Sequence, residues 1–206
     1  MNYSTLVQNI KDFMEDDGTE FSNAIDTFID FTELKLSREL KIPAFRRRAT
    51  STLSIGDPFI TMPSDMVSLE GLHTINSNVR TLLLLRSDEF MMEYWPNRTS
   101  TGTPKYYAYF DDDTLYVAPT PSAALGLEIS YRRRLPALSS SNTTNWLTDN
   151  ASDALLYGSL VEAAAFNRNY ALQERSLGMY QNAVQNITQE QQVRNSIDNF
   201  YQRNEG

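Results

Sequence analysis

The hydrophobic period changes twice along this chain of 206 residues. At both ends the apolar residues recur every three to four positions, which is the period of a helix. Between them they alternate or run in short blocks, as strands do. Helix, strand, helix in that order excludes one continuous sheet and one continuous bundle. It predicts an α+β fold: a helical bundle from the N- and C-terminal helices with an inserted, mainly antiparallel β lobe. The expected boundaries are 1–49 and 149–206 for the helical bundle domain, 50–135 for the β lobe and 136–148 for a linker.

Leu6, Ile10 and Phe13 set the first helical stripe, with Ser4 placed to cap it and Asp16-Asp17-Gly18 to stop it. A longer helix follows Thr19, striped by Phe21, Ile25, Phe28, Leu36 and Leu40, and Pro43 ends it. The pairs Glu33 with Ser37 and Lys35 with Glu39 are expected on its exposed side.

From Thr50 to Arg132 come short β-rich runs separated by Gly, Pro, Asp and Asn: TLSI, PFITMP, MVSLEGLHTI, RTLLLLR, PKYYAYF, TLYVAP and LGLEISYR. The last of these places Leu125, Leu127, Ile129 and Tyr131 on one face and Glu128, Ser130 and Arg132 on the other. The unbroken leucines of RTLLLLR predict a strand covered on both faces. SDEFMMEYWP is a helical insert, with Ser87 as its N-cap and Pro96 as its terminator.

The polar stretch RRRLPALSSSNTTNWLT is anchored by Leu138 and Trp146. Thr148 or Asn150 should then cap a helix reaching about Tyr170, with Leu156, Leu160 and Ala164 on one side and Gly158 permitting close helix approach. In the next helix Leu177, Tyr180, Val184 and Ile187 form a packing seam. After Ile187 the stripe shifts register to Val193, Ile197, Phe200 and Tyr201, in polar surroundings.

Composition narrows the chemistry. The chain has no cysteine, so disulfides, thiolate nucleophiles and Cys-ligated zinc are excluded. It has one histidine, His73, which rules out multi-histidine metal sites. A catalytic role for His73 would need a nucleophile elbow that the sequence lacks, so His73 reads as structural. No signal peptide and no membrane-length apolar run is present, which points to a soluble protein of a cytoplasm or of a particle assembled there. Net charge is −8. Residues 1–42 hold nine acids against four bases, and the remainder holds seventeen against fourteen. Such a balance disfavours general DNA binding but suits a wall along which DNA slides.

Three features could carry chemistry. Asp111, Asp112 and Asp113 lack the glycine and glutamate of a calcium loop, and they read as a hairpin turn. Arg46-Arg47-Arg48 and Arg132-Arg133-Arg134 flank the β segment and read as surface charge or subunit salt bridges rather than DNA contacts. The aromatics of Tyr106 to Tyr109 read as packing rather than base stacking. No glycine-rich phosphate loop occurs, and nothing argues for an enzyme or a cofactor.

Four pieces in order resemble the head-to-tail adaptor (connector) proteins of tailed bacteriophages, of the short-tailed, podovirus-type class. They are LSRELKIPAFRR, then TPKYYAYFDDDTLYVAPTP, then LEISYRRRLPALSSSNTTNWLTDNASDALLYGSLVEAAAF, then RSLGMYQNAVQNI leading to a polar tail. The resemblance implies a non-catalytic virion protein at the head–tail junction, assembled in the host cytoplasm. Such proteins form a ring, usually of twelve copies. The ring joins the portal to the tail nozzle, and DNA passes its channel without specific binding. By position, Val193, Ile197, Phe200, Tyr201 and Arg203 would dock on the portal. Asp111, Asp112, Asp113, Arg132, Arg133 and Arg134 would contact neighbouring subunits or partners. Other readings are a nozzle, stopper or tail-completion protein, a carboxylate-dependent hydrolase using Asp111 or Asp113, and a nucleic-acid binder.

Overall fold

The computed structural model describes residues 1–202, except for the side chains of residue 191 and residues 193–202. The architecture is mixed α+β, and the chain divides into two compact units. One is Met1–Phe45 with Arg134–Gly206; the other is Arg46–Arg133.

The first unit is helical. Its elements are α1 (Tyr3–Met14), α2 (Thr19–Glu39), a short 3-10 turn (Pro43–Phe45), and, after the β segment, three further helices, Trp146–Asn150, Ser152–Phe166 and Tyr170–Gln202. Asn2, not Ser4, caps α1: its side chain accepts from the Thr5 N–H at 2.9 Å. Leu6 and Ile10 are fully buried, whereas Phe13, the third member of the expected stripe, is half exposed. Glu15 ends α1 in the left-handed region, and the Asp16 carboxylate accepts from the Gly18 N–H at 2.9 Å. Phe21, Ile25, Phe28, Ile29 and Leu36 then fill the core side of α2.

Two local pairs on α2 lie elsewhere than expected. Glu33 and Ser37 are buried, not exposed. Lys35 and Glu39 both turn toward Tyr180: the ammonium sits 4.5 Å from the ring centroid, and the tyrosine hydroxyl donates to Glu39 Oε2 at 2.6 Å. Spacing four apart puts each pair on one side of the helix; packing by other segments decided its surroundings.

The single helix expected from Thr148 or Asn150 to Tyr170 is instead two. Asn145 caps the earlier, shorter one through a reciprocal capping box with Thr148. Buried Ala151 leaves helical geometry (φ −142°, ψ 38°) and restarts the chain at Ser152. The Ser152–Phe166 helix packs against α1, α2 and the Tyr170–Gln202 helix, so it is apolar nearly all round. The expected seam of the last helix is present: Tyr180 and Ile187 are buried, with Leu177 and Val184 against the same core.

In the second unit the strands are β1 (Arg46–Leu53), β2 (Phe59–Thr61), β3 (Met66–Asn76), β4 (Val79–Leu82) and β5 (Leu84–Leu85). Helix α3 (Asp88–Tyr94) follows, then β6 (Thr101–Gly102), β7 (Tyr106–Tyr109), β8 (Thr114–Ala118), β9 (Thr120–Pro121) and β10 (Leu125–Arg133). In chain order the last three helices are therefore α4, α5 and α6. One sheet runs β1-β10-β3-β4 and the other β2-β8-β7-β5, with β6 and β9 pairing by themselves. All pairings are antiparallel except β5 with β7 and β6 with β9. Ser77 and Asn78, both at positive φ, make the tight turn between β3 and β4.

The core between the sheets comes from Leu53, Leu72, Leu125, Leu127, Ile129 and Tyr131 on one side and Ile60, Tyr107, Leu115 and Val117 on the other. The alternation expected of LGLEISYR holds on its apolar face. The first strand begins at Arg46, ahead of the expected Thr50, because Arg46, Arg47 and Arg48 continue the pairing with Ser130–Arg132. Ser87 caps α3 through Phe90 N–H and Pro96 follows its end, as expected. The leucine run differs most. Only Leu83 is buried, while Leu82, Leu84 and Leu85 are 52%, 45% and 50% exposed. The run crosses from the edge of one sheet to the edge of the other, so just one side chain faces the shared core.

Candidate partner-docking surfaces

The aspartate triplet forms the tip of the β7–β8 hairpin. Phe110 N–H donates to the Thr114 carbonyl at 2.9 Å, closing the loop. Within it the Asp111 carboxylate accepts from the Asp113 N–H at 2.9 Å, the bond by which aspartate stabilises a turn. All three carboxylates face solvent. Among the described residues no group of three or more His, Asp or Glu side chains is arranged to hold a metal ion. The tip offers dense negative charge, not ligand geometry.

The two arginine triplets are far apart in sequence and meet in the sheet. Arg46 stands directly opposite Arg132, and Arg47 opposite Tyr131. Like charges facing across strands repel. Two acids that sequence reading had not singled out relieve this: Arg46 pairs with Glu70 at 2.6 Å and Arg47 with Asp65 at 2.9 Å. The second oxygen of Asp65 accepts from the Tyr131 hydroxyl at 2.8 Å. Burial and this bond to a carboxylate push the Tyr131 hydroxyl above its usual pKa. Arg48 is exposed on the same strand. Arg134 lies in the helical unit, where it reaches Asp30 at 3.4 Å.

His73 sits on the outer face of the first sheet with Leu82 and Glu128 as its cross-strand neighbours. Glu128 is 6% exposed and is held by Arg80 at 2.8 Å.

A further feature was not legible as a site. Met91 from α3 and Trp95 at its C-cap, with Tyr116, Val117, Pro58 and Arg98, line a cavity of about 270 Å³. The Arg98 guanidinium lies 5.4 Å from the Tyr116 ring centroid and 5.9 Å from that of Phe110. Tyr116 donates to Asp88 at the start of α3, which fixes the ring that floors the cavity. The signal available in sequence was the crowding of Phe, Met and Tyr in one seven-residue helix with Trp directly after it.

The expected portal-docking residues fall on the end of α6. The helix continues through Gln202, but the side chains of Val193, Ile197, Phe200 and Tyr201, and all of Arg203, lie outside the described residues. Ile187 is the last described side chain of α6 that is buried in the core; Thr188, Gln189, Glu190 and Gln192 are exposed. Among the described residues no helix is long and apolar enough to cross a membrane.

Compared with known families, the sequence matches the SU10 adaptor protein family over residues 1–201. The comparison with curated proteins returns no match.

Proposed function

The chain belongs to the SU10 adaptor protein family, a family of phage head-to-tail adaptors, and on that premise we propose how this adaptor works. It is a non-catalytic virion protein that forms a ring, about twelve copies being usual for such adaptors. The ring joins the portal to the tail nozzle, and packaged DNA passes through its channel. The observation that carries this reading is the family match over residues 1–201. The fold is consistent with it: two compact units whose conspicuous charged and apolar features lie at the surface.

Within this scheme the end of α6 docks on the portal. The support is geometric. Ile187 is the last described side chain of α6 buried in the core, and the helix runs on to Gln202, which at 1.5 Å per residue is about 22 Å of further helix. A helix that continues past its last described core residue suits a groove on a partner. Asp111, Asp112, Asp113, Arg132 and Arg133 serve as contacts to neighbouring copies or partners, and Arg134 as a contact that competes with its bond to Asp30. An acidic lining keeps DNA from adhering to the channel.

Truncation after Gln189 is the test. The shortened chain should keep its circular dichroism spectrum and melting temperature and lose most of its affinity for the portal. Mass measurement of the full chain, with and without portal, tests the ring. Portal binding by the truncated chain at full strength refutes the docking role. A full chain that stays monomeric in both conditions refutes the ring.

A further inference from the structure

The edge formed by β4 and β5 is unusual in what it leaves uncovered. Val79, Leu82, Leu84 and Leu85 are 64%, 52%, 45% and 50% exposed within seven consecutive residues. Folded proteins blunt a sheet edge with Lys, Glu, Pro or a bulge, because unpaired N–H and C=O groups there recruit another strand. Residues 79–85 contain no Lys, Glu, Asp or Pro, and the pairing of β4 with β3 carries no bulge. The one charge on β4, Arg80, is bound to Glu128 across the sheet face. The β4 edge of the first sheet therefore combines an open backbone with half-exposed Leu82, and Leu84 and Leu85 follow directly at the β5 edge of the second sheet.

The opposite edge of the first sheet is β1. At its charged end Arg46 pairs with Glu70 and Arg47 with Asp65, while Arg48 is exposed. The stretch that follows, Ala49-Thr50-Ser51-Thr52, is uncharged, and Thr50, Ser51 and Thr52 are exposed. The whole strand spans eight residues, enough to accommodate the four of β4. Its pairing with β10 is regular throughout.

Direction completes the match. The sheet order is β1-β10-β3-β4 and every neighbour pair is antiparallel. With an even number of strands, the two edges run in opposite directions. A second copy laid alongside in the same orientation brings its β1 antiparallel to β4 of the first. Antiparallel pairing is the more stable geometry per residue. Repetition of one edge against the other is a head-to-tail contact, the kind that closes into a ring and not into a two-fold dimer.

We propose that β4 of one copy pairs with β1 of the next, so that the first sheet runs on from subunit to subunit and the neighbour covers Leu82, Leu84 and Leu85. This rests on the ring reading above and names the surface that builds the ring.

The chain lacks cysteine, so any disulfide is a designed one. Thr50→Cys or Thr52→Cys, combined with Leu82→Cys, should give on mild oxidation a covalent ladder of dimers, trimers and higher species in the assembled, portal-bound state. A second variant, Leu82→Lys with Leu84→Lys and Leu85→Lys, alters side chains that are half exposed in the single chain. It should keep its circular dichroism spectrum and lose at least tenfold in assembly. Covalent dimers from Leu82→Cys alone, with no ladder from the pairs, would show β4 against β4 and overturn the proposal. Undiminished rings from the lysine variant would overturn it too while leaving the ring reading intact. A wild-type chain that never assembles, alone or with portal, overturns both.

Discussion

The Asn145 side-chain amide donates to Glu33 Oε1 at 2.6 Å, across 112 residues of sequence. The other oxygen, Oε2, accepts the buried Leu138 N–H at 3.1 Å. One carboxylate on α2 thus holds both ends of the segment that leads into α4. Asn145 is also the cap of α4, so the same side chain joins the helix start to the core.

Replacing Glu33 by Ala removes both acceptors and leaves the Leu138 N–H buried without a partner. A stranded buried donor costs about 1–3 kcal/mol, and the loss should appear as a lower midpoint in urea denaturation. An unchanged midpoint would show that the segment is held by its apolar anchors alone.

Glu33 also gives a pH dependence of defined sign. Burial, the largest influence, holds its pKa above the usual carboxylate value despite the two hydrogen bonds. A raised carboxyl pKa means that the folded state binds the proton more tightly than the unfolded state. Its favourable contribution is complete below the unfolded value of about 4.3 and is lost as pH rises through the folded value. Compared with Glu33→Gln, the wild type should therefore gain relative stability as pH falls from neutrality toward that range. Parallel urea titrations at several pH values read this directly, and a difference independent of pH would contradict it.

Gly158 on α5 faces two helices at once. A Cβ placed there would lie 2.4 Å from Thr32 Cγ2 and 3.1 Å from the Tyr180 ring. Gly158→Ala gains about 1 kcal/mol of helix propensity. Overpacking a closed contact costs about 1–3 kcal/mol, and the fully buried surroundings make the loss prevail. The variant should melt lower than wild type; a higher melting temperature would mean that α5 can shift without penalty.

Tyr180 should make the helical unit alkali-sensitive. Burial, then the bond to Glu39, push its hydroxyl well above the usual tyrosine value. Ionisation is favoured in the unfolded chain, so stability falls as pH rises past about 10. Tyr180→Phe removes this component: the variant should lose roughly 1 kcal/mol at neutral pH and less at high pH. Denaturation curves at neutral pH and above 10 provide the comparison.

At the hairpin tip the expectations are small ones. Asp112→Asn and Asp113→Asn should change stability by less than about 0.5 kcal/mol, since neither side chain bonds within the turn. Asp111→Ala should cost somewhat more, through the lost bond to the Asp113 N–H. Adding calcium or magnesium should leave the melting temperature of the wild type unchanged. A rise of several degrees with either ion would restore the metal reading.

Several particular elements were legible in the sequence. Ser87 and Pro96 bounded α3, Asp16-Asp17-Gly18 marked the turn directly after the Glu15 cap of α1, and the alternation of Leu125, Leu127, Ile129 and Tyr131 named the core face of β10. The likeness to phage adaptors agrees with the family to which the chain belongs. Less legible was the start of α4, where Asn145 and Thr148 cap each other and Ala151 interrupts what periodicity reads as one helix.

What the sequence determined alone was the type and order of the elements, because the hydrophobic period, the caps and the turn residues act within a few positions of the chain. What only the tertiary structure decided was where charge and leucine end up. Arg46 faces Arg132, Glu33 is buried beneath Leu138 and Asn145, and Leu82, Leu84 and Leu85 stand at a sheet edge. Each outcome depends on which distant segment packs alongside, and burial and hydrogen bonding are properties of that pairing and not of the local sequence.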